Sequence, residues 1–180
     1  MLNRPLKIRD YRRNDLEKLH AMDCICFPDG IAFSMNELNV FCNHIDGCCR
    51  IAEDSNGILG FIVARREIAR IARIITLDVN PNGRRRGTGF TLMTDVHRIL
   101  KSRGVEWVAL EVGAENIPAK RLYEKLQYRY TGFIPGYYGR IEPVGIDCQK
   151  KTDHPEIPAM EWRTRLGFNS RNAFVMIRKL

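Results

Sequence analysis

Residues 72–79 are rich in β-branched and apolar side chains, and they run into Asn80-Pro81-Asn82-Gly83 and then Arg84-Arg85-Arg86-Gly87-Thr88-Gly89. Past Gly89 the hydrophobic period lengthens from that of a strand to that of a helix, with Leu92, Met93, Val96, Ile99 and Leu100 on one face and Gly104 as the stop. A strand, a basic glycine-containing loop and an amphipathic helix in direct succession restrict the chain to folds in which helices cover a sheet. Glycine lets backbone N–H groups come close to a ligand, and a helix N-terminus adds donors without partners and the positive end of a dipole. Such a loop suits phosphate oxygens. No Gly-Lys-Ser/Thr follows, as a nucleoside-triphosphate loop requires, and no third glycine or later acidic residue completes a dinucleotide fingerprint. What remains is Arg-x-x-Gly-x-Gly, which by itself also fits a solvated turn or a nucleic-acid patch.

The flanking sequence supplies more strands and helices. Residues 6–9 alternate as a short strand, and residues 10–26 carry Leu16, Leu19, Ala21 and Met22 at helical spacing. Ser34 and Glu37 form a capping box that predicts a second helix, with Leu38 and Phe41 on its buried face. Residues 48–53 and 58–65 are apolar runs around Asp54-Ser55-Asn56-Gly57, and the Asn-Gly pair predicts a hairpin with positive φ angles in its turn. Residues 105–112 are largely apolar on both faces, as in a central strand, with Glu111 near its end. Asn116 then reads as a helix N-cap and Pro118 sits in the first turn, with Ala119, Leu122, Tyr123 and Leu126 on one face. Residues 128–133 and 173–178 read as the last strands. The repeated Ile-Ala-Arg of residues 68–73 leaves the start of the 72–79 strand open.

With 180 residues and 44% hydrophobic content, the chain suffices for one well-packed domain spanning residues 1–180. No apolar run approaches the roughly 20 residues of a membrane-spanning helix, so a soluble, cytoplasmic protein with no membrane partner is expected. The net charge of +8 favours partners rich in negative charge. The cysteines, Cys24, Cys26, Cys42, Cys48, Cys49 and Cys148, form neither a dense disulfide framework nor paired Cys-x-x-Cys knuckles. They are expected to be reduced, mostly buried thiols, with no metal. A zinc site built on Cys24, Cys26 and a histidine is the alternative, against the usual ligand spacing.

The Arg-x-x-Gly-x-Gly loop resembles the pyrophosphate-binding segment of the GNAT (Gcn5-related) N-acetyltransferases. The similarity extends to Leu77-Asp78-Val79, Leu110-Glu111-Val112, Asn116 with Ala119, Leu122-Tyr123-Glu124, Tyr137-Tyr138 and Ala173-Phe174-Val175-Met176, and within the family it resembles the ribosomal-protein-alanine acetyltransferases. Cys26-Phe27-Pro28 and Ser34 with Glu37-Leu38 resemble the first helical region of that group. The resemblance implies an α/β fold with a central, mixed but mostly antiparallel sheet of six to seven strands, flanked by about four helices and splayed at the acetyl-CoA site.

It also implies the chemistry: direct attack of an amine on the thioester of acetyl-CoA, without a metal. Leu77, Asp78 and Val79 would lie along the cofactor's pantetheine arm, residues Arg84, Arg85, Arg86, Gly87, Thr88, Gly89 and Phe90 would hold its pyrophosphate, and Asn116 would contact it beyond the splay. Glu111 matches the general-base position, although a carboxylate paired to an arginine is the plain alternative. Tyr123 matches the tyrosine that protonates the departing sulfur, although core packing is the usual fate of such a residue. Phe27, Pro28 and Ile31 would face Tyr137 and Tyr138 across a peptide groove.

The acceptor implied is the α-amino group of a protein or peptide N-terminus, ribosomal proteins included. An α-amino group has a reference pKa near 7.7–8.0 against about 10.4 for lysine, so deprotonating lysine costs roughly 3 kcal/mol more at neutral pH. A small-molecule amine or a lysine side chain is a second possibility, and a non-catalytic basic module for RNA or ribosome surfaces a third, with no specific nucleic acid expected for the enzyme. Two departures from the family pattern stand out. Leu126-Gln127-Tyr128 replaces the usual Leu-Gly-Phe, and residues 139–172 form a longer link than the usual short hairpin.

Overall fold

Asp54 pairs directly with Gly57 across the first hairpin, joining β2 (Gly47–Asp54) to β3 (Gly57–Ile68) through Ser55-Asn56. The turn differs from the expected one. Of Asn56 and Gly57 only the glycine takes a positive φ, 123°, because an Asp54 carboxylate oxygen accepts the Asn56 N–H at 2.8 Å and shapes the turn locally. The computed structural model describes residues 6–27, 31–137 and 172–180.

Alternation along β3 distributes its side chains between two cores. Ile62 and Ala64 point to one face of the sheet, Phe61 and Val63 to the other, and all four are fully buried. The strand β4 (Ile71–Val79) follows, so Ala69-Arg70 is the turn and the ambiguous Ile-Ala-Arg repeat divides between two strands. With β1 (Lys7–Asp10) on the outer edge, β1 to β4 form an antiparallel meander.

The first face is covered by α3 (Thr88–Ser102) and α4 (Ile117–Lys125). Leu92, Met93, Val96 and Leu100 of α3 and Tyr123 of α4 pack on Ile62, Ala72, Val108 and Leu110. The opposite face is covered by α1 (Leu16–Cys26) and α2 (Met35–Cys42), with Leu19, Met22 and Leu38 against Ile51, Phe61 and Val63. The capping box of α2 is present: Glu37 N–H donates to Ser34 Oγ at 3.3 Å, and the Glu37 carboxylate accepts the Ser34 N–H at 2.8 Å.

The remaining strands are β5 (Trp107–Gly113), β6 (Arg129–Ile134) and β7 (Ala173–Lys179). The order of the seven-stranded sheet is β1-β2-β3-β4-β5-β7-β6, so β7 lies between two strands that precede it in the chain. The expected fold class is therefore the observed one: an open, mostly antiparallel sheet with four α-helices among the described residues. Its single parallel junction is short. Strands β4 and β5 pair only over Ile71–Arg73 and Trp107–Ala109, and then diverge although each continues for several residues. The widening gap between them holds the site.

Candidate active site

Beyond Arg73, β4 has β3 on one side and the opening on the other, so the backbone that β5 would have paired remains available to an extended ligand. A cavity of about 770 Å³ fills the gap. Leu77 and Val79 line it from β4, Glu111 from β5, Asn116 and Tyr123 from α4 and its cap, and Phe27 and Tyr137 from the two loops near its mouth. Arg84, Arg85, Gly87, Thr88, Gly89 and Phe90 line the same cavity.

The loop geometry follows from its residues. Gly87 is the N-cap of α3 at φ 81°, in the left-handed region where glycine is at ease, and Arg85 precedes it at φ 58°. Thr88 Oγ1 donates to the Gly83 carbonyl at 2.8 Å, which fastens the start of α3 to the turn Pro81–Gly83. The first N–H groups of α3 have no intrahelical acceptor, and the residues that carry them, Thr88 to Phe90, line the cavity, as suits an anion site. Gly89 lies where a Cβ would stand 3.1 Å from Leu122 of α4 and 3.6 Å from Val79, so its lack of a side chain keeps the cradle open.

Three arginines in sequence do not act as one patch. Arg84 folds back, its Nε donating to the Val79 carbonyl at 3.2 Å, while Arg86 Nη2 is 3.0 Å from Asp54 in the β2–β3 turn. Arg86 is not among the cavity residues. Asp78 is not either: the strand alternation that turns Leu77 and Val79 into the cavity turns Asp78 the other way, where it is fully buried and accepts from Thr76 Oγ1 at 3.1 Å. Ile31 stands behind the mouth, in a small cluster with Tyr137, Ala173, Phe27 and Ile134. Pro28 and Tyr138, like nearly all of the 139–172 link, lie outside the described residues.

Among the described residues Glu111 is the one carboxylate lining the cavity, its side chain only 3% exposed. Burial raises its pKa above the ordinary carboxylate value, and the neighbouring Arg73 guanidinium opposes that rise. Arg73 Nε donates to Glu111 Oε2 at 3.0 Å. The pairing is one that sequence inspection leaves open, because Arg73 sits in a strand among many arginines and only the splay brings it to Glu111. Tyr123 is buried, its ring 5.8 Å from that of Tyr128, so it serves both the core and the cavity wall. Asn116 Oδ1 accepts the Ala119 N–H at 3.2 Å as the cap of α4.

Cys26 also lines the cavity, its thiol donating to the Val79 carbonyl at 3.5 Å. Burial and then the charge of Asp78 raise its pKa, so it is a protonated thiol and a poor nucleophile. Cys24 is exposed and 3.8 Å from His20, so Cys24 and Cys26 do not converge, and among the described residues no three metal-ligating side chains cluster. No helix among the described residues is long and apolar enough to cross a membrane.

Comparison with known proteins agrees with this geometry. An N-alpha-acetyltransferase of Saccharolobus solfataricus is 24% identical over 150 residues, covering 75% of this chain and 87% of the relative. The crystal structure of Ard1 from Thermoplasma volcanium superposes with a TM-score of 0.75 at 20% identity, over 97% of each chain. Arabidopsis thaliana NAA60 in complex with acetyl-CoA gives 0.74 at 20% identity, over 98% of this chain and 99% of the other. The model of the acetyltransferase (GNAT) family matches residues 16–128, from the first residue of α1 to the residue before β6, and the chain belongs to that family of N-acetyltransferases.

Proposed function

We propose that this protein moves an acetyl group from acetyl-CoA to the α-amino group of a protein N-terminus, with Glu111 as general base and Tyr123 as general acid. One observation carries the reading: a single cavity in the β4–β5 splay is lined at once by an anion cradle, a buried carboxylate and a buried phenol. The residues suit acetyl-CoA. The edge of β4 at Leu77 and Val79 that no strand covers, its Val79 carbonyl held by Arg84 and Cys26, matches an extended amide-bearing arm, and the Gly87–Phe90 backbone with Arg84 and Arg85 matches a pyrophosphate. The cofactor supplies an acetyl group already activated as a thioester.

The protein's own residues handle the protons. Glu111, directly or through a water, takes the proton of the incoming amine, and its raised pKa brings it closer to that of an α-ammonium group than an exposed carboxylate would be. Tyr123 holds a proton for the departing sulfur. The acceptor would enter past Phe27 and Tyr137, which both line the cavity, as an extended backbone with its amine foremost. Similarity to the archaeal N-alpha-acetyltransferase supports that acceptor.

The test is acetyl-CoA turnover, followed by thiol release, on peptides with free N-termini, the same peptides blocked at the N-terminus but carrying lysine, and small amines. Free N-termini alone should react, and Glu111→Gln should reduce kcat by about 10²-fold or more. Turnover confined to small amines or lysine would sink the acceptor assignment while leaving acetyl transfer in place.

A further inference from the structure

Arg73 occupies the point of the splay. It is the last residue of β4 paired with β5, opposite Ala109, and Glu111 lies two residues further along β5 where the strands have parted. Its side chain crosses the gap. Nε donates to Glu111 Oε2 at 3.0 Å, Nη2 stands 2.8 Å from Oε1, and Nη2 also donates to the Tyr137 hydroxyl at 3.0 Å. One guanidinium thus joins β4, β5 and the turn after β6.

The pair is largely withdrawn from water, with side-chain exposures of 11% for Arg73 and 3% for Glu111. Burial works against the charge on Arg73, but Glu111 and then Tyr137 outweigh it, so arginine remains a cation. The other titratable side chains facing this cavity are Tyr123 from α4, Cys26 from α1, and Arg84 and Arg85 from the phosphate loop. On the β7 side the residue registered against Glu111 is the apolar Val175. Arg73 is therefore the only cation in direct contact with the carboxylate among the described residues. A planar guanidinium that hydrogen-bonds one oxygen and stands in ion-pair contact with the other constrains the carboxylate's orientation as well as its charge, with Tyr137 also hydrogen-bonded to Glu111, and Oε1 keeps lone pairs for an amine or a water.

We infer that Arg73 is a positioning residue for Glu111, holding the carboxylate ionised and aimed at the cavity, and tying Tyr137 to the same point. This rests on the reading of Glu111 as the base. The amine would then meet a site whose negative charge is already balanced, which favours acceptors that give up their proton readily, such as α-amines, over lysine ammonium groups.

Protein labelled with [13C]glutamate provides the test, the Glu111 carboxyl signal being identified by its loss in Glu111→Gln. In folded Arg73→Gln the titration midpoint of that signal should rise by about 1–3 pH units, the range that a contacting opposite charge accounts for, and the acid limb of kcat/KM should rise with it. Arg73→Lys keeps a charge but cannot span both oxygens and the Tyr137 hydroxyl, so its midpoint should rise less and part of kcat should return. It also provides the readout if Arg73→Gln does not fold. An unmoved midpoint overturns the proposal whatever the turnover. A moved midpoint with full turnover in Glu111→Gln would instead remove Glu111 as the base and leave the hold of Arg73 on it standing.

Discussion

Gln127 stands at φ 64°, one of two non-glycine residues with positive φ among those described. In that region the Cβ crowds the following carbonyl, at a cost of roughly 1–2 kcal/mol. This is the position where the family pattern writes glycine, and the backbone shape has been kept while the residue that suits it has changed. Gln127→Gly should stabilise the protein by about 0.5–1 kcal/mol in urea unfolding, the relief of strain exceeding the extra freedom of the unfolded chain. A loss of stability would mean that the Gln127 side chain contributes more than the strain costs. Tyr123 poses the opposite question, since core packing and proton donation both place a phenol there. Tyr123→Phe keeps the ring, so kcat should fall by about 10²-fold with the KM for acetyl-CoA unchanged; an unchanged kcat leaves Tyr123 as wall and core only.

Among the elements, α3, the residue leading into β6, and β7 meet at a buried polar group that no sequence motif announces. His97 Nε2 lies 2.7 Å from the Tyr128 hydroxyl and Nδ1 lies 3.3 Å from Arg178 Nη1. A guanidinium only donates, so Nδ1 is the acceptor and Nε2 carries the proton toward Tyr128. Burial, and then Arg178, push the His97 pKa down to about 4 from 6.5. The unfolded chain therefore binds a proton that the folded one refuses. Stability contributed by neutral His97 is present above pH 6.5 and is lost as pH falls from there toward 4, by up to about 3 kcal/mol. His97→Gln should flatten the stability profile over that window, measured by denaturant unfolding at each pH; an unchanged slope would assign the loss to carboxylates alone.

Glycines in and just before the basic loop divide by neighbour. A Cβ at Gly83 would stand 2.7 Å from the Leu59 carbonyl oxygen, which is backbone and also accepts the Asn80 N–H at 2.9 Å. Gly83→Ala should cost about 1–3 kcal/mol in stability. At Gly89 the nearest atom is the end of the Leu122 side chain, so Gly89→Ala should spare the fold and weaken cofactor binding, as calorimetry would measure. The local signals here were readable in the sequence: Ser34 with Glu37, Asn116 with Pro118, and Gly104 each act through neighbours in the chain. Arg73 with Glu111, and His97 with Tyr128 and Arg178, were not. Each pair is brought together by strand divergence or helix docking across 31 or more residues, which periodicity does not encode.

For the whole molecule, the sheet is two parts joined by a three-residue parallel seam. The hydrophobic alternation foretold the strands and the two-sided core, but the position of β7 between β5 and β6 depends on long-range pairing that no local pattern sets. A ligand that bridges β4, α3 and α4 across that seam should stabilise the molecule as a unit. Coenzyme A at about 100 times its Kd should add about 2.7 kcal/mol, or roughly 5–10 °C in Tm for a chain of this size. No shift with coenzyme A would remove the cavity as its site.

The seam also bears on how the site comes into being as the chain is made. Strands β2 to β4 can zip through two successive hairpins, with β1 adding to the edge of β2, as soon as residue 79 has emerged, well before any partner for β4's far edge exists. Strand β7 must then slot between β5 and β6, which until that moment share no backbone pairing, and its Val175 is the residue that registers against Glu111. The wall bearing the carboxylate is thus complete only once β7 has been made. Catalytic competence waits for β7, and a ribosome stalled before it would hold a largely formed sheet with an incomplete cavity wall.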